Sequence, residues 1–341
     1  MLWRRRKQGS ILIFTLWVLS FLVILSAYIG LSVRQKILVL SKIESRSSLR
    51  YLAEAGVKKA ISALRQDLRR NKFVYTPYGK LYRHNNPERF SNVELGEGVI
   101  KIQYDFFDGL KNEHIQRYGL IDEESKINLN TADFDTLARL IRLATPADEK
   151  ESTELAGYII DWRQPHEREL TGFDSEGYYK NLENPYDQKN AFFDRIEELL
   201  LVKGMTKSVY EGIKPYVTVY GDGMVNVNTA SRIVLIAIGF TGELADKLLV
   251  VRQGFDEVDA TVDDFIFYQP FDIAIEMKKF IQMDVHNFRL LDALNNAGRI
   301  KTNSNFFYVR SEGRLRNNEQ RMTVECVYNV AENKIEYWRE K

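Results

Sequence analysis

The sequence predicts an α+β fold: one long N-terminal helix packed on an antiparallel sheet, with the sheet split by a large all-α insertion. Three observations predict it. An uncharged apolar run opens the chain and passes, without a proline, into an amphipathic helical pattern. Alternating strand-like stretches stand on either side of the middle of the chain and are almost missing from it. The middle itself carries an internal repeat of helical pieces.

The helix comes first. Arg4, Arg5, Arg6 and Lys7 precede a run from Ser10 to Val33 with no charge and no proline. As a helix the run spans roughly 35 Å, enough for a hydrocarbon core of about 30 Å. Thr15, Ser20 and Ser26 can bond back to helix carbonyls, so none forbids burial in lipid. The basic cluster argues for a cytoplasmic amino terminus, although Arg34, Lys36 and Lys42 on the far side weaken the asymmetry. A cleaved secretory signal has a shorter core, about 7–15 residues. A plain membrane anchor fits. So does a stem trimmed after a short basic leader, residues 1–9, which ends in Gln8-Gly9-Ser10-Ile11-Leu12. The first proline is Pro77, and Leu49, Ala53, Val57, Ile61, Leu64 and Leu68 recur at helical spacing. Arg50, Lys58, Lys59, Arg65 and Arg69 fall on the other face. The helix is therefore expected from about Ser10 to about Arg70, on the order of 90 Å, with 10–33 in the membrane and 34–70 beyond it.

The sheet comes in two parts, 71–125 and 301–341. Phe73-Val74-Tyr75 and Lys80-Leu81-Tyr82 are short β-like pieces. Val99 to Phe106 is a fuller strand between Gly98 and Asp108-Gly109, and Ile115 to Ile121 suggests another. Near the end, Phe306–Val309, Met322–Tyr328 and Lys334–Trp338 read as strands. Residues 310–320, rich in Arg, Asn and Gly, read as a loop. The chain has 341 residues and can build more than one core. Its net charge of +1 advertises no nucleic-acid or acidic partner. Cys326 is the one cysteine, so there is no internal disulfide; in an alternating pattern it reads as a small buried side chain.

The insertion, about 126–300, repeats itself. Lys126-Ile-Asn-Leu-Asn-Thr-Ala132 recurs as Met224-Val-Asn-Val-Asn-Thr-Ala230. Glu154-Leu-Ala to Arg163-Gln164 recurs as Glu243-Leu-Ala to Arg252-Gln253. The units run about 126–215 and 224–295. Asn130 and Asn228 stand where N-caps of helices starting near Thr131 and Thr229 are expected. Between the Arg-Gln pair and Ile196-Glu-Glu-Leu-Leu the first copy holds about two dozen extra residues, relative to Val262-Asp-Asp-Phe-Ile in the second. An added loop is where a special function or a metal site would sit. The units look like helix-hairpin-helix or SAM-like modules. Their hairpins, Ala144-Thr-Pro-Ala-Asp-Glu and Ile238-Gly-Phe-Thr-Gly-Glu, are a poor phosphate cradle, because the first lacks glycine and acids surround both. No nucleic acid is expected as a partner.

These residues together resemble one family, the K-type minor pseudopilins of type II secretion systems (GspK). The resemblance rests on the basic leader ending at Gly9 and on Asp122-Glu-Glu-Ser-Lys-Ile-Asn-Leu-Asn-Thr-Ala132. It rests also on Ile160-Asp-Trp162 followed by Glu176-Gly-Tyr-Tyr179, on Glu198 to Met205, and on Tyr216 to Ala230. It implies a pilin-like helix and sheet with an inserted helical domain. It implies a role at the tip of a periplasmic pseudopilus, starting assembly and limiting fibre growth, beside I-type and J-type minor pseudopilins and the major pseudopilin. A prepilin peptidase would cut after Gly9 and leave a methylated Ser10 in the inner membrane, with the main body periplasmic. Ser10 departs from the Phe or Met common at that position. Most pilin-like subunits carry a glutamate at mature position five, where an unpaired carboxylate in lipid is costly. Here that position is Phe14, which agrees with a subunit that has nothing stacked above it and equally with plain lipid-facing packing.

The resemblance also raises calcium, which takes six to eight oxygens. Asp161, Asp174, Glu176 and Asp187 lie in or beside the extra loop, either as ligands or as solvated acids. Arg163, Gln164 and His166 stand where the family often shows further aspartates. No enzymatic constellation is present: His84, His114, His166 and His286 are scattered, with no phosphate loop and no nucleophile elbow. Two other functions fit part of the pattern: a membrane-tethered DNA-binding helix-hairpin-helix protein, and a minor tip pilin of a type IV pilus.

Overall fold

A computed structural model describes residues 8–71, 85–108, 113–164, 175–258, 261, 263–316 and 320–341, without the side chains of 8–10, 68–71, 107, 108, 113, 175 and 176. The stretches Phe73–Tyr75 and Lys80–Tyr82 lie outside the described residues.

Helix α1 (Gln8–Asn71) runs unbroken for 64 residues, about 96 Å at 1.5 Å per residue. Its first half is bare. Its second half buries Leu49, Leu52, Ala53, Val57, Ala60, Ala63 and Leu64, a wider face than the sequence spacing alone suggests, with Ile61 partly buried at its margin. Asp67 is buried too, and Arg89 Nη1 donates to both its oxygens at 3.3 Å.

The helix lies on an antiparallel sheet. Strands β1 (Val93–Leu95) and β2 (Gly98–Ile102) come before the insertion, as do β3 (Tyr104–Asp108), β4 (Glu113–Arg117) and β5 (Ile121–Asp122). The insertion contributes β6 (Ile127–Asn128), β7 (Val217–Thr218), β8 (Val225–Asn226) and β9 (Ile300–Lys301). After it come β10 (Phe306–Leu315), β11 (Arg321–Asn329) and β12 (Lys334–Glu340). The sheet order is β1-β2-β10-β11-β12, with β5 also on β10.

Three strand boundaries differ from the sequence reading. The expected strand Ile115–Ile121 is two, β4 on β3 and β5 on β10, because the chain turns back to the sheet between them. The expected strand Val99–Phe106 is two strands. After Gln103 N donates to Arg310 O the chain leaves the sheet, makes the β3–β4 ribbon, and returns where Gly119 N donates to Ile102 O. Strand β2 and then β5 thus share the same edge of β10. Residues 310–315 are also not loop but the second half of β10. Ser311 and Gly313 alternate inward against the helix while Arg310, Glu312 and Arg314 take the other side. Small residues there are a packing requirement, since a Cβ on Gly313 would sit 2.7 Å from Ala53 N and 2.8 Å from Leu49 O. Cys326 is fully buried in β11, as its pattern suggests, and burial pushes its thiol up to about 12.

Among its described residues the insertion is built of helices and loops with two short parallel pairs, β6 with β7 and β8 with β9. Each pair joins the entry of a repeat to its exit. The first repeat holds α2 (Phe134–Ala144), α3 (Glu149–Arg163), α4 (Ser175–Lys180) and α5 (Lys207–Ile213). The second holds α6 (Arg232–Ala237), α7 (Gly242–Arg252), α8 (Ile273–Met277) and α9 (Val285–Asn296). Helix α2 packs on α3 and on α6, so the repeats meet through their first helices. One apolar cluster runs through both repeats, and a second lies between α1 and the sheet.

Candidate functional site

Three places on the chain bear on function: the bare end of α1, the joint between sheet and insertion, and the extra loop of the first repeat. At the bare end, Gly9 and Ser10 lie in the first turns of α1. The most apolar stretch of the helix has a mean hydropathy of 2.4 and nothing packed over it. Phe14 is 69% exposed on that surface. Thr15 Oγ1 donates to Leu12 O at 2.9 Å, so its hydroxyl needs no water.

The joint is built on Asp122-Glu123-Glu124. Strand β5 delivers it from the sheet, and Asp122 starts a short 3-10 turn by accepting from Glu124 N at 2.9 Å. The three carboxylates then reach different parts of the insertion. Asp122 accepts from Asn226 Nδ2 (2.9 Å), Thr229 Oγ1 (2.6 Å) and Ser304 Oγ (2.7 Å). Glu123 accepts from Thr218 Oγ1 and Lys126 Nζ, both at 2.6 Å. Glu124 accepts from Lys301 Nζ and from Asn305 N, and Lys301 also reaches Asp222 at 3.0 Å. Burial pushes the Asp122 carboxyl above its ordinary range and the Glu124 charge adds to this, against the lowering effect of its three side-chain donors. A sequence reader sees the acidic run; its cation, Lys301, lies at the far end of the insertion and carries no local signal.

The repeats are alike in their bonds as well as their letters. Asn130 and Asn228 are not N-caps. Each faces a backbone amide like a missing strand: Asn130 gives Nδ2 to Phe193 O (3.0 Å) and takes Phe193 N (2.7 Å), and Asn228 does the same with Phe267 (2.8 and 2.9 Å). The caps stand three residues later, Asp133 for α2 and Ser231 for α6. The displacement has a cause: Asn128 and Asn226 fold the Asn-Thr-Ala stretch into a turn by accepting the amides of Asn130 and Asn228. The Arg of each Arg-Gln pair is buried and donates into that turn. Arg163 bonds Leu129 O and Ala132 O, and Arg252 bonds Val227 O and Ala230 O. The guanidiniums lock the repeat and are not offered to a phosphate.

Of the four candidate calcium ligands, Asp174 lies outside the described residues and Glu176 is placed only as a backbone position in α4. Asp161 is half-buried near the end of α3 and Asp187 is exposed. Among the described residues no group of three or more His, Cys, Asp or Glu is arranged to hold a metal. One observation does suit a hard cation. Gln188 is buried, its Nε2 donates to Asp161 O, and its Oε1 has no hydrogen-bond partner among the described residues. A buried acceptor left unmet costs about 1–3 kcal/mol.

Residues 120–222 match the family of the type II secretion system (T2SS), protein K. They span the acidic joint and the whole first repeat. No curated protein matches the chain. The fold matches GspK in the crystal structure of the GspK-GspI-GspJ complex from the enterotoxigenic Escherichia coli type 2 secretion system. That match covers 89% of this chain and 99% of the other, with a TM-score of 0.59 and 17% identity. Residues 120–222 are therefore similar to the type II secretion protein K family, and the stem, split sheet and helical insertion share the fold of GspK.

Proposed function

We propose that this chain caps a pseudopilus, starts its assembly and limits its length during protein export across the outer membrane. The observation that carries the reading is the division of α1: one half bare and apolar, the other half holding the sheet. A bare half of that length suits the lipid of the inner membrane, and a basic leader ahead of it supports a periplasmic side for the packed half and the body it carries. The broad inserted domain adds bulk at the end of the stem, which suits a terminal subunit. I-type and J-type minor pseudopilins are the partners proposed beside it, because the matched structure is a GspK-GspI-GspJ complex; the major pseudopilin is proposed below it in the fibre. Phe14 spares a terminal subunit the cost of an unpaired carboxylate in lipid.

Cleavage after Gly9 and methylation of Ser10 are the steps this function needs. Mass spectrometry of the natively produced protein is expected to find a methylated amino terminus at Ser10; Met1 through Gly9 still attached would overturn the reading. Calcium is proposed as a structural ion of the extra loop, held by Asp161, Asp174, Glu176 and Asp187, with Gln188 Oε1 offering a further oxygen. Calorimetric titration of calcium into the detergent-solubilised protein is expected to show saturable heat, and a flat titration removes the ion.

A further inference from the structure

Phe255 is the most exposed large hydrophobic side chain among the described residues, at 83%. It is more bare than Trp17 on the stem, at 73%. Yet it sits on a closed turn. Asp263 Oδ2 accepts from Phe255 N at 2.7 Å and from Asp256 N at 3.1 Å, and Thr261 Oγ1 donates to the other oxygen at 2.8 Å. Asp256 Oδ1 accepts from Val258 N at 2.8 Å, and Phe265 N closes the base on Arg252 O at 3.0 Å. Gly254 has φ +71°, and a Cβ there would lie 2.5 Å from Asp263 O. A side chain displayed on a turn already fixed by its own bonds loses little freedom on binding.

In the first repeat the end of α3 is roofed by the chain's own residues, with Trp162, the counterpart of the buried Val251, packed edge-on to Tyr179 and Tyr186 at 5.1 and 6.1 Å. The second repeat leaves Val250 (55% exposed) and Phe255 open at the end of α7. Acids stand beside the ring in the chain: Phe255 is followed by the exposed Asp256 and Glu257, and from Gln253 to Met277 the sequence has no Lys or Arg.

We propose that the Phe255 turn is a docking point for a protein partner that offers an apolar pocket for one aromatic ring, rimmed by Lys and Arg. Binding hot spots are typically aromatic anchors seated in a pocket, and complementary charge around the patch steers the partner and selects it. Anionic lipid headgroups are the wrong occupant, since the acids beside Phe255 repel them.

The test uses the full chain in secreting cells and rests on the secretion reading above. Benzoylphenylalanine at position 255 is expected to give one discrete light-dependent protein adduct whose linked peptide carries Lys or Arg. The same probe at Phe192, an exposed apolar residue of the first repeat, is expected to give none. The D256K/E257K pair is expected to abolish the adduct, and F255A to lower export about tenfold while F255W keeps it, as a hot-spot loss of that size would. No adduct, an adduct to lipid, an adduct unaffected by charge reversal, or full export by F255A overturns the proposal. A strain lacking the whole chain separates the two failures: normal export there sinks the secretion reading itself, whereas a block there with normal export by F255A sinks the docking point alone.

Discussion

Asp133 does two jobs with one carboxylate. It caps α2 by accepting from Thr136 N at 2.8 Å, and it meets Arg299, which returns from the far end of the second repeat. Arg299 also donates to Thr136 Oγ1 and Ile238 O, both at 3.2 Å, so the pair ties the two repeats together at their first helices. Partial burial alone would raise the Asp133 carboxyl, but the Thr136 bonds outweigh it, with Arg299 helping, and hold it below its ordinary value of 3.8. A depressed carboxyl stabilises the fold above the unfolded value and loses that contribution as pH falls through the folded one. Asp133→Asn keeps the cap acceptor and removes only the charge. Wild type is therefore expected to be the more stable of the two at pH 7. The gap should close as pH falls below 3.8 and should shrink in high salt. Urea unfolding across that range measures it; an unchanged gap at pH 3 would contradict the assignment. The same residue shows why sequence reading placed the cap wrongly. Asn130 and Asp133 are both good cap types, and only the turn folded by Asn128 decides between them.

At the scale of elements, the apolar face of the stem packs on the sheet only because small residues let the two approach closely. Gly56 faces Ser311 and Ile100 so closely that a Cβ would lie 2.0 Å from Ser311 Oγ and 2.5 Å from Ile100 Cγ2. Alanine gains about 1 kcal/mol in helix propensity over glycine, while forced overpacking costs about 1–3 kcal/mol. Gly56→Ala is thus expected to lower the melting temperature of the detergent-solubilised chain. Ser311→Gly in the same protein is expected to restore most of the loss. A Gly56→Ala protein that melts with wild type would show that the helix does not rest on β10 as described. The stem was the most legible element: its apolar run, missing prolines and helical spacing span the observed Gln8–Asn71 closely. Strand β10 was legible only in its first half. Phe306 to Val309 shows β-formers, but Ser311 and Gly313 have the composition of a loop, and their smallness answers to a helix more than 250 positions upstream. The two repeats announced themselves in letters; the parallel pairs that close them are two residues long and leave no periodicity to read.

The described residues of the whole molecule form two apolar cores, and the joint between them is polar and charged. Lys301 is central to that joint. Its side chain is 8% exposed, its partner Glu124 is 2% exposed, and Asp222 lies at 3.0 Å. Removing one partner of a buried ion pair strands the other charge, which typically costs about 3–5 kcal/mol. The cost would fall on the attachment and not on either core, because neither apolar cluster includes Lys301. Two tryptophans let the halves be followed separately: Trp162 in the core of the repeats and Trp338 on β12 of the sheet. With Trp3 and Trp17 replaced by Phe, single-tryptophan versions are expected to unfold in urea at one shared midpoint while the joint is intact. Lys301→Met is expected to lower the midpoint and to split it, with the two signals no longer coincident. Signals that separate already with Lys301 in place would mean the cores are independent and the joint merely connects them. Coincident signals in Lys301→Met would mean that something other than this charge cluster couples the sheet to the domain it carries.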